Sequence, residues 1–269
     1  MLPLLFTTQA RRAANGWGAG WPHLLQALLP NLCALCGNLS RATLCPGCAE
    51  AYWNESRVRC TLCAIPIAAG RAQYNAGIRT NNPPQACPTR YRCADCIGTP
   101  RPFDATLTLG DYRAPLDALA LGLKFRARLN LARVFAEQLA DAVLNLPGPP
   151  QPFDVIAPVP LSARRLAERG YNQAWEIARP LARKLRVPGH ATLLRRVVHT
   201  APQARLDLEA RRRNVSQAFV VAKPVRNLHV ALVDDVMTTG ATLEALARTL
   251  KSAGARRVTN LVALRTPKN

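Results

Sequence analysis

Residues 229–250 read HVALVDDVMTTGATLEALARTL, and this stretch limits the possible fold more tightly than the rest of the chain. Val230 to Val233 form an unbroken apolar run, the pattern of a strand buried on both faces of a parallel sheet. The run ends in two carboxylates, Asp234 and Asp235. Thr238, Thr239, Gly240, Ala241 and Thr242 follow, and then Leu243, Leu246 and Leu250 at helical spacing. A helix start carries unpaired N–H groups and a partial positive charge, and hydroxyls beside it complete a cradle for an anion. Gly240 lets the backbone approach that anion closely. Two carboxylates beside a phosphate repel it unless a hydroxyl-bearing group or a metal lies between. A ribose 5-phosphate meets both demands, with its diol on the acids and its phosphate in the turn. The plainer alternative is a Thr-capped turn with two solvated aspartates.

The amino-terminal quarter obeys a different logic. All nine cysteines fall between Cys33 and Cys96, and eight form C-x-x-C pairs: Cys33/Cys36, Cys45/Cys48, Cys60/Cys63 and Cys93/Cys96. Each pair sets two thiolates on one side of a tight knuckle, and two knuckles make a tetrahedral zinc site, so two Zn²⁺ ions are expected. Sequential pairing needs only short loops apart from one long one; an interleaved, cross-brace pairing also satisfies the spacing. Cys87 is left over, either free or a substitute ligand in the second site. So few apolar residues lie here that folding would depend on the metal. Tyr52, Trp53, Tyr74 and Tyr91 alternate with Arg57, Arg59, Arg71, Arg90 and Arg92, which suits either base stacking with phosphate pairing or a small ribbon core. Residues 21–32 read as a short amphipathic helix.

The 269 residues suffice for one main domain and a smaller one, with boundaries at 1–31 (helical segment), 32–101 (double zinc ribbon) and 102–269 (main domain). Lys and Arg number 36 against 16 acids, a net charge of +20, which favours an anionic partner, nucleic acid before a membrane surface. No apolar run reaches the length of a membrane span and no secretory cleavage pattern follows the start, so a cytoplasmic protein is expected.

In the main domain, residues 105–110 alternate as a strand. Helices are expected over 115–125 and 129–146, before the breaker Pro147-Gly148-Pro149-Pro150. Lys124 closes the first helix. A second buried strand over 153–160 runs into a loop with Ser162, Arg164 and Arg165, suited to a pyrophosphate because guanidinium forks match phosphate oxygens. Arg169, Asn172 and Gln173, further candidates for the ligand cleft, precede a helix through Leu185, and helix capping is the plainer role for such polar residues. A last strand is expected over 258–264.

The loop at 234–242 resembles the binding loop for 5-phosphoribosyl-1-pyrophosphate (PRPP) in type I phosphoribosyltransferases. Together with the knuckles, Lys124-Phe125, the segment PVPLSARRLAERGYNQ and the stretch LLRRVVHTAPQARLDLEARRRNVSQAF, it resembles the ComF family, bacterial proteins linked to natural competence and DNA uptake or utilisation. The resemblance runs over nearly the whole chain from Leu32 onward. It implies an α/β fold, a type I phosphoribosyltransferase-like parallel sheet with helices on both faces behind a small zinc-ribbon region, and a ligand at the carboxyl ends of the strands. It further implies that Asp234 and Asp235 hold the ribose hydroxyls, that Thr238 to Thr242 hold the 5′-phosphate, that Mg²⁺ accompanies PRPP, and that Lys124 faces the ligand cleft. Gln203, Arg211 and Arg212 fall in the hood region that closes over the ligand in such enzymes. Met237 stands where Ile or Val is more usual. Three functions fit: a PRPP-binding protein that handles single-stranded DNA, an active transferase with structural ribbons and an unknown acceptor, or a PRPP-sensing scaffold for an uptake helicase or other competence proteins.

Overall fold

The computed structural model describes residues 31–53, 57–67, 91–146, 152–197 and 218–267. Its centre is a four-stranded parallel sheet in the order β3–β8–β7–β4: β3 (Ala105–Asp111), β8 (Arg257–Arg265), β7 (His229–Met237) and β4 (Val155–Pro158). The expected strand of 230–233 is longer than its apolar run and continues through both aspartates to Met237.

Period-two alternation sends the sheet's side chains into two cores. Ile156, Ala231, Val233, Leu261 and Ala263 meet Leu119, Leu123, Phe135, Leu139, Ile177 and Leu181 on one face. These come from helices α3 (Asp117–Phe125), α4 (Asn130–Leu144) and α6 (Gln173–Leu185). Val155, Ala157, Val230, Leu232, Val258 and Val262 point the other way, onto Leu243, Leu246 and Leu250 of α7 (Ala241–Ser252). Helices therefore cover both faces, as the near-continuous apolar runs of β7 and β8 require.

The ribbon region consists of β1 (Asn31–Leu32) and β2 (Leu39–Ser40), paired antiparallel, and two short helices, α1 (Pro46–Tyr52) and α2 (Ala94–Gly98). The amphipathic helix expected over 21–32 is corrected at its end: Asn31 and Leu32 are strand, because they pair with β2 across the first knuckle. Its earlier part lies outside the described residues. The knuckles are embedded in the two cores. Cys33, Leu44 and Cys48 join the core of α3, α4 and α6, while Cys60, Leu62, Cys63 and Cys96 join that of α7. The second ribbon also covers the exposed edge of β3, where the Thr106 amide donates to the Thr61 carbonyl at 2.9 Å.

A second correction concerns residues 161–169. The expected loop is largely a helix, α5 (Ala163–Arg169), because Ser162 accepts the Arg165 amide as an N-cap and Gly170, at φ 76°, ends the helix. Residues 194–196 (β5) and 219–221 (β6) pair antiparallel at the two ends of the hood stretch. Gln203, Arg211 and Arg212 lie outside the described residues, as does Cys87.

Candidate functional site

The strand β7 delivers Asp234 and Asp235 to its carboxyl end, on opposite sides of the pleat. Asp235 is buried, 2% exposed, and faces the core of α3. There Lys124, in the last turn of α3, places its ammonium 3.2 Å from Asp235 Oδ2. Lys124 is drawn inward by this pair instead of only complementing the dipole of α3. The other oxygen of Asp235 accepts the Val236 amide at 2.8 Å, and Asp234 Oδ1 accepts the Asp235 amide at 2.9 Å. Both carboxylates are thus held by the backbone beside them. Burial, and after it the neighbouring charge of Asp235, pushes the Asp234 carboxyl well above the usual carboxylate range, while Lys124 pulls it down. Two acids crowded at a strand end are an arrangement that a diol or a cation relieves.

Beyond β7 the chain turns at Gly240 (φ 86°) into α7. A Cβ at Gly240 would stand 2.5 Å from Met237 Cε, the movable end of a flexible side chain, so it is the backbone conformation that demands glycine. Thr238, Thr239, Ala241 and Thr242 are exposed around it. The Thr239 hydroxyl accepts the Ala241 amide at 3.3 Å. The start of α7 therefore presents amides and hydroxyls to solvent, next to the acid pair.

The underside of this turn rests on a residue that the sequence reading passed over. Arg265, at the end of β8, is 4% exposed. Its Nη1 donates to the carbonyls of Met237 (3.0 Å), Thr238 and Thr266 (2.7 Å), and its Nε donates to the Cys63 carbonyl (2.9 Å). One guanidinium thus ties the hydroxyl-rich turn to the second cysteine knuckle. Its only sequence signal is a cation closing an apolar strand, which reads as an ordinary solvated strand end.

Two further ties join ribbon and sheet. Asp111, at the end of β3, is buried and accepts Arg59 at 2.8 Å, Arg57 at 2.9 Å and Arg113 at 2.5 Å. Burial raises its carboxyl, but those guanidiniums outweigh it and hold the group down at about 2. Arg101 pairs with Glu244 in the first turn of α7. Arg57 and Arg59, which the sequence offered as nucleic-acid contacts, are therefore engaged by Asp111. The ring of Trp53 lies edge-on to Phe135 at 6.1 Å, so it is part of the ribbon–helix packing.

The eight cysteines fall into two tetrads with sequential pairing, Cys33/Cys36/Cys45/Cys48 and Cys60/Cys63/Cys93/Cys96, each with its sulfurs within 4.8 Å of one another. A tetrahedron with metal–sulfur bonds of ~2.3 Å has edges of ~3.8 Å. The Cys36–Cys45 and Cys63–Cys93 separations are 3.7 and 3.6 Å. Amides of Cys45 and Cys48 point at the Cys33 and Cys45 sulfurs, at 3.3 and 3.4 Å, as thiolate ligands require. Both tetrads fit a metal ion such as zinc, whose role there would be to hold the ribbon together.

The remaining candidates surround the end of α3. Tyr171 donates its hydroxyl to the Leu123 carbonyl, and the Arg169 guanidinium lies 5.2 Å from the centre of the Phe125 ring. Asn172 caps α6 through the Ala174 amide and donates to the Val159 carbonyl at 3.0 Å. Gln173 is buried with its side-chain oxygen unpartnered. Ser162 is occupied as a cap, and Arg164 pairs with Glu168 at 2.7 Å. Arg165 extends into solvent. The structure thus gathers Lys124, Asp235 and the turn, and leaves Ser162 and Arg164 engaged within α5.

A family profile described as "phosphoribosyl transferase domain" matches residues 172–268, from the start of α6 through β8. The DNA utilization protein YhgH of Salmonella typhi is 34% identical over 236 residues, covering 86% of this chain and 95% of the relative. Competence protein F of Haemophilus influenzae is 34% identical over 177 residues, covering 62% of this chain and 75% of the relative. The Bacillus subtilis competence protein ComFC is 31% identical over about half of each chain. Among the described residues no helix is long and apolar enough to cross a membrane. With this sheet, these knuckles and relatives aligned along most of their length, the chain belongs to the ComF family of DNA-utilisation and competence proteins.

Proposed function

We propose that the chain binds PRPP, or a related ribose 5-phosphate, at the carboxyl end of β7 and handles single-stranded DNA in DNA uptake or utilisation. The observation that carries the reading is the acid pair on β7 set directly before the open amide-and-hydroxyl turn of Thr238, Thr239, Gly240, Ala241 and Thr242. The ribose diol lies against Asp234 and Asp235, and the 5′-phosphate takes the amides at the start of α7. The Lys124 ammonium, 3.2 Å from Asp235 Oδ2, orients that side chain for the contact. Asp234 and Asp235 stand where Mg²⁺ accompanying PRPP would supply positive charge between the carboxylates and the ligand's phosphates. Arg165 and Arg169 supply guanidiniums on that side of the cleft, and Ser162 and Arg164 would join them if α5 reorients around the ligand. Gln203, Arg211 and Arg212 are proposed as hood contacts.

The DNA part of the reading is supported by the charge of +20 and by the likeness to a DNA utilization protein and a competence protein. The test is a titration of fluorescent single-stranded DNA into zinc-loaded protein, with and without PRPP and Mg²⁺. Both ligands should bind, DNA affinity should fall steeply with salt, and each ligand should change the other's affinity by the same factor. Tight PRPP binding with no DNA binding at moderate salt would replace this reading with that of a transferase.

A further inference from the structure

Helix α3 ends in Lys124-Phe125-Arg126, and the chain turns through Ala127, at φ 48°, and Arg128 into α4. Lys124 points inward to Asp235, whereas Phe125 points out and is 67% exposed. An aromatic ring left in water forgoes the apolar burial that the rest of α3 obtains. The Arg169 guanidinium covers one face of this ring, a cation–π contact that holds it in place and leaves the other face open. Arg126 and Arg128 are exposed beside it. Arg165 lies one turn before Arg169 on the same side of α5, also exposed. Among the described residues none of these four arginines has a carboxylate within ion-pair distance, whereas Arg133, Arg164, Arg179 and Arg248 each have one on their own helix.

We propose that Phe125, Arg126, Arg128, Arg165 and Arg169 form a landing surface for single-stranded nucleic acid, with one base stacked on the open face of Phe125. The proposal rests on the DNA reading above and gives it a place. A braced aromatic face with a cationic rim suits an unpaired strand, because every base has a π-face and every linkage a phosphate. A duplex keeps its bases stacked and offers no face to the ring. An acidic protein surface would engage the arginines but has no use for an open ring. The arginines of the ribbon are the weaker alternative, since Arg57 and Arg59 are already drawn onto Asp111. Phe125 is also the residue next to Lys124, so a strand seated there lies beside the acid pair of β7.

The test uses zinc-loaded, full-length protein and fluorescence anisotropy with three probes: a fifteen-nucleotide oligothymidylate, an abasic strand of equal length, and polyglutamate as competitor. The variants are Phe125→Ala, Phe125→Trp, the double variant Arg126→Ser/Arg128→Ser, and Arg183→Ser on α6 as a control. Phe125→Ala should weaken oligothymidylate binding roughly 5- to 150-fold and erase the preference over the abasic strand. Phe125→Trp should bind at least as tightly as wild type, which separates loss of the ring from damage to the fold. The double variant should weaken both strands alike and lower the salt slope by about 1.4. Arg183→Ser should change nothing, and PRPP affinity should be unchanged in the double variant. Wild-type binding that is equal in Phe125→Ala and the double variant would overturn this surface while leaving the DNA reading intact. A wild type that binds neither strand at moderate salt would overturn both. Equal binding of the two strands, with displacement by polyglutamate, would assign the surface to an acidic protein.

Discussion

Replacing Arg265 should loosen the hydroxyl-rich turn at 238–242 and the second knuckle together, because one guanidinium is bonded to both. Its Nη1 has two hydrogens for three carbonyls and its Nε has one for Cys63, so at most three charge-assisted hydrogen bonds exist at once. At the low end of about 1.5 kcal/mol each, these would amount to roughly 4–5 kcal/mol. Methionine keeps most of the stem volume, so the cavity cost is small. Burial already pulls the Arg265 pKa down, and relief of that desolvation offsets part of the loss. Arg265→Met should therefore destabilise the zinc-loaded protein by about 2–4 kcal/mol, a fall in melting temperature of roughly 5–10 °C. Arg265→Lys, a compact point charge in place of a planar fork, should fall between. Chemical denaturation gives the stability. Calorimetry with PRPP and the rate of metal transfer from the second tetrad to a chelator read the two ends of the tie. Both should worsen in Arg265→Met. A stability within about 0.5 kcal/mol of wild type, the level of a neutral surface change, would refute the keystone role. So would loss of stability with both functional readouts unchanged.

Three other perturbations have defined outcomes. Asp234 has a carboxyl raised by burial and by Asp235, so the unliganded protein is favoured while that group is protonated and loses stability as pH rises through its folded-state pKa. Asp234→Asn should flatten that decline, yet weaken ribose phosphate binding; wild-type proton release on PRPP binding, measured in buffers of different ionisation heat, should vanish in the variant. Asp111 shows the opposite sign: its folded pKa is depressed to about 2, so its contribution is complete above the unfolded carboxylate value and is lost as pH falls toward about 2. Asp111→Asn should remove that portion of the acid unfolding profile, and an unchanged profile would count against the arginine clamp. Under a graded chelator the first tetrad should lose metal before the second, since Cys36 is exposed whereas Cys60, Cys63 and Cys96 are buried, as metal analysis after partial chelation would register.

The parts of the fold that sequence made legible are those whose cause is local. Val230 to Val233, the two aspartates and the glycine turn announce themselves because strand burial, charge and φ freedom are properties of neighbouring residues. The C-x-x-C pairs do so because metal geometry fixes spacing, although only the structure settled that pairing is sequential. What escaped depends on contacts between distant residues. Arg265 acts on Cys63 from 202 positions away, and Arg57 and Arg59 look free for nucleic acid until Asp111 arrives from over 50 positions on. Ser162 read equally well as a phosphate contact or a cap, since the same hydroxyl serves either, and α5 forms around it as a cap. Family resemblance put Lys124 beside the cleft, but its partner, a buried carboxylate on β7, is visible only in three dimensions.

The most direct measurement is calorimetric titration of PRPP with Mg²⁺ into the zinc-loaded chain, wild type beside Gly240→Ala. One PRPP should bind per wild-type chain, and binding should be markedly weaker in the variant, whose added Cβ strains a turn held at φ 86° and pushes on Met237. No heat at ligand concentrations well above those of the protein, or equal affinity in the two proteins, would contradict the claim that the end of β7 and the start of α7 form a ribose phosphate site.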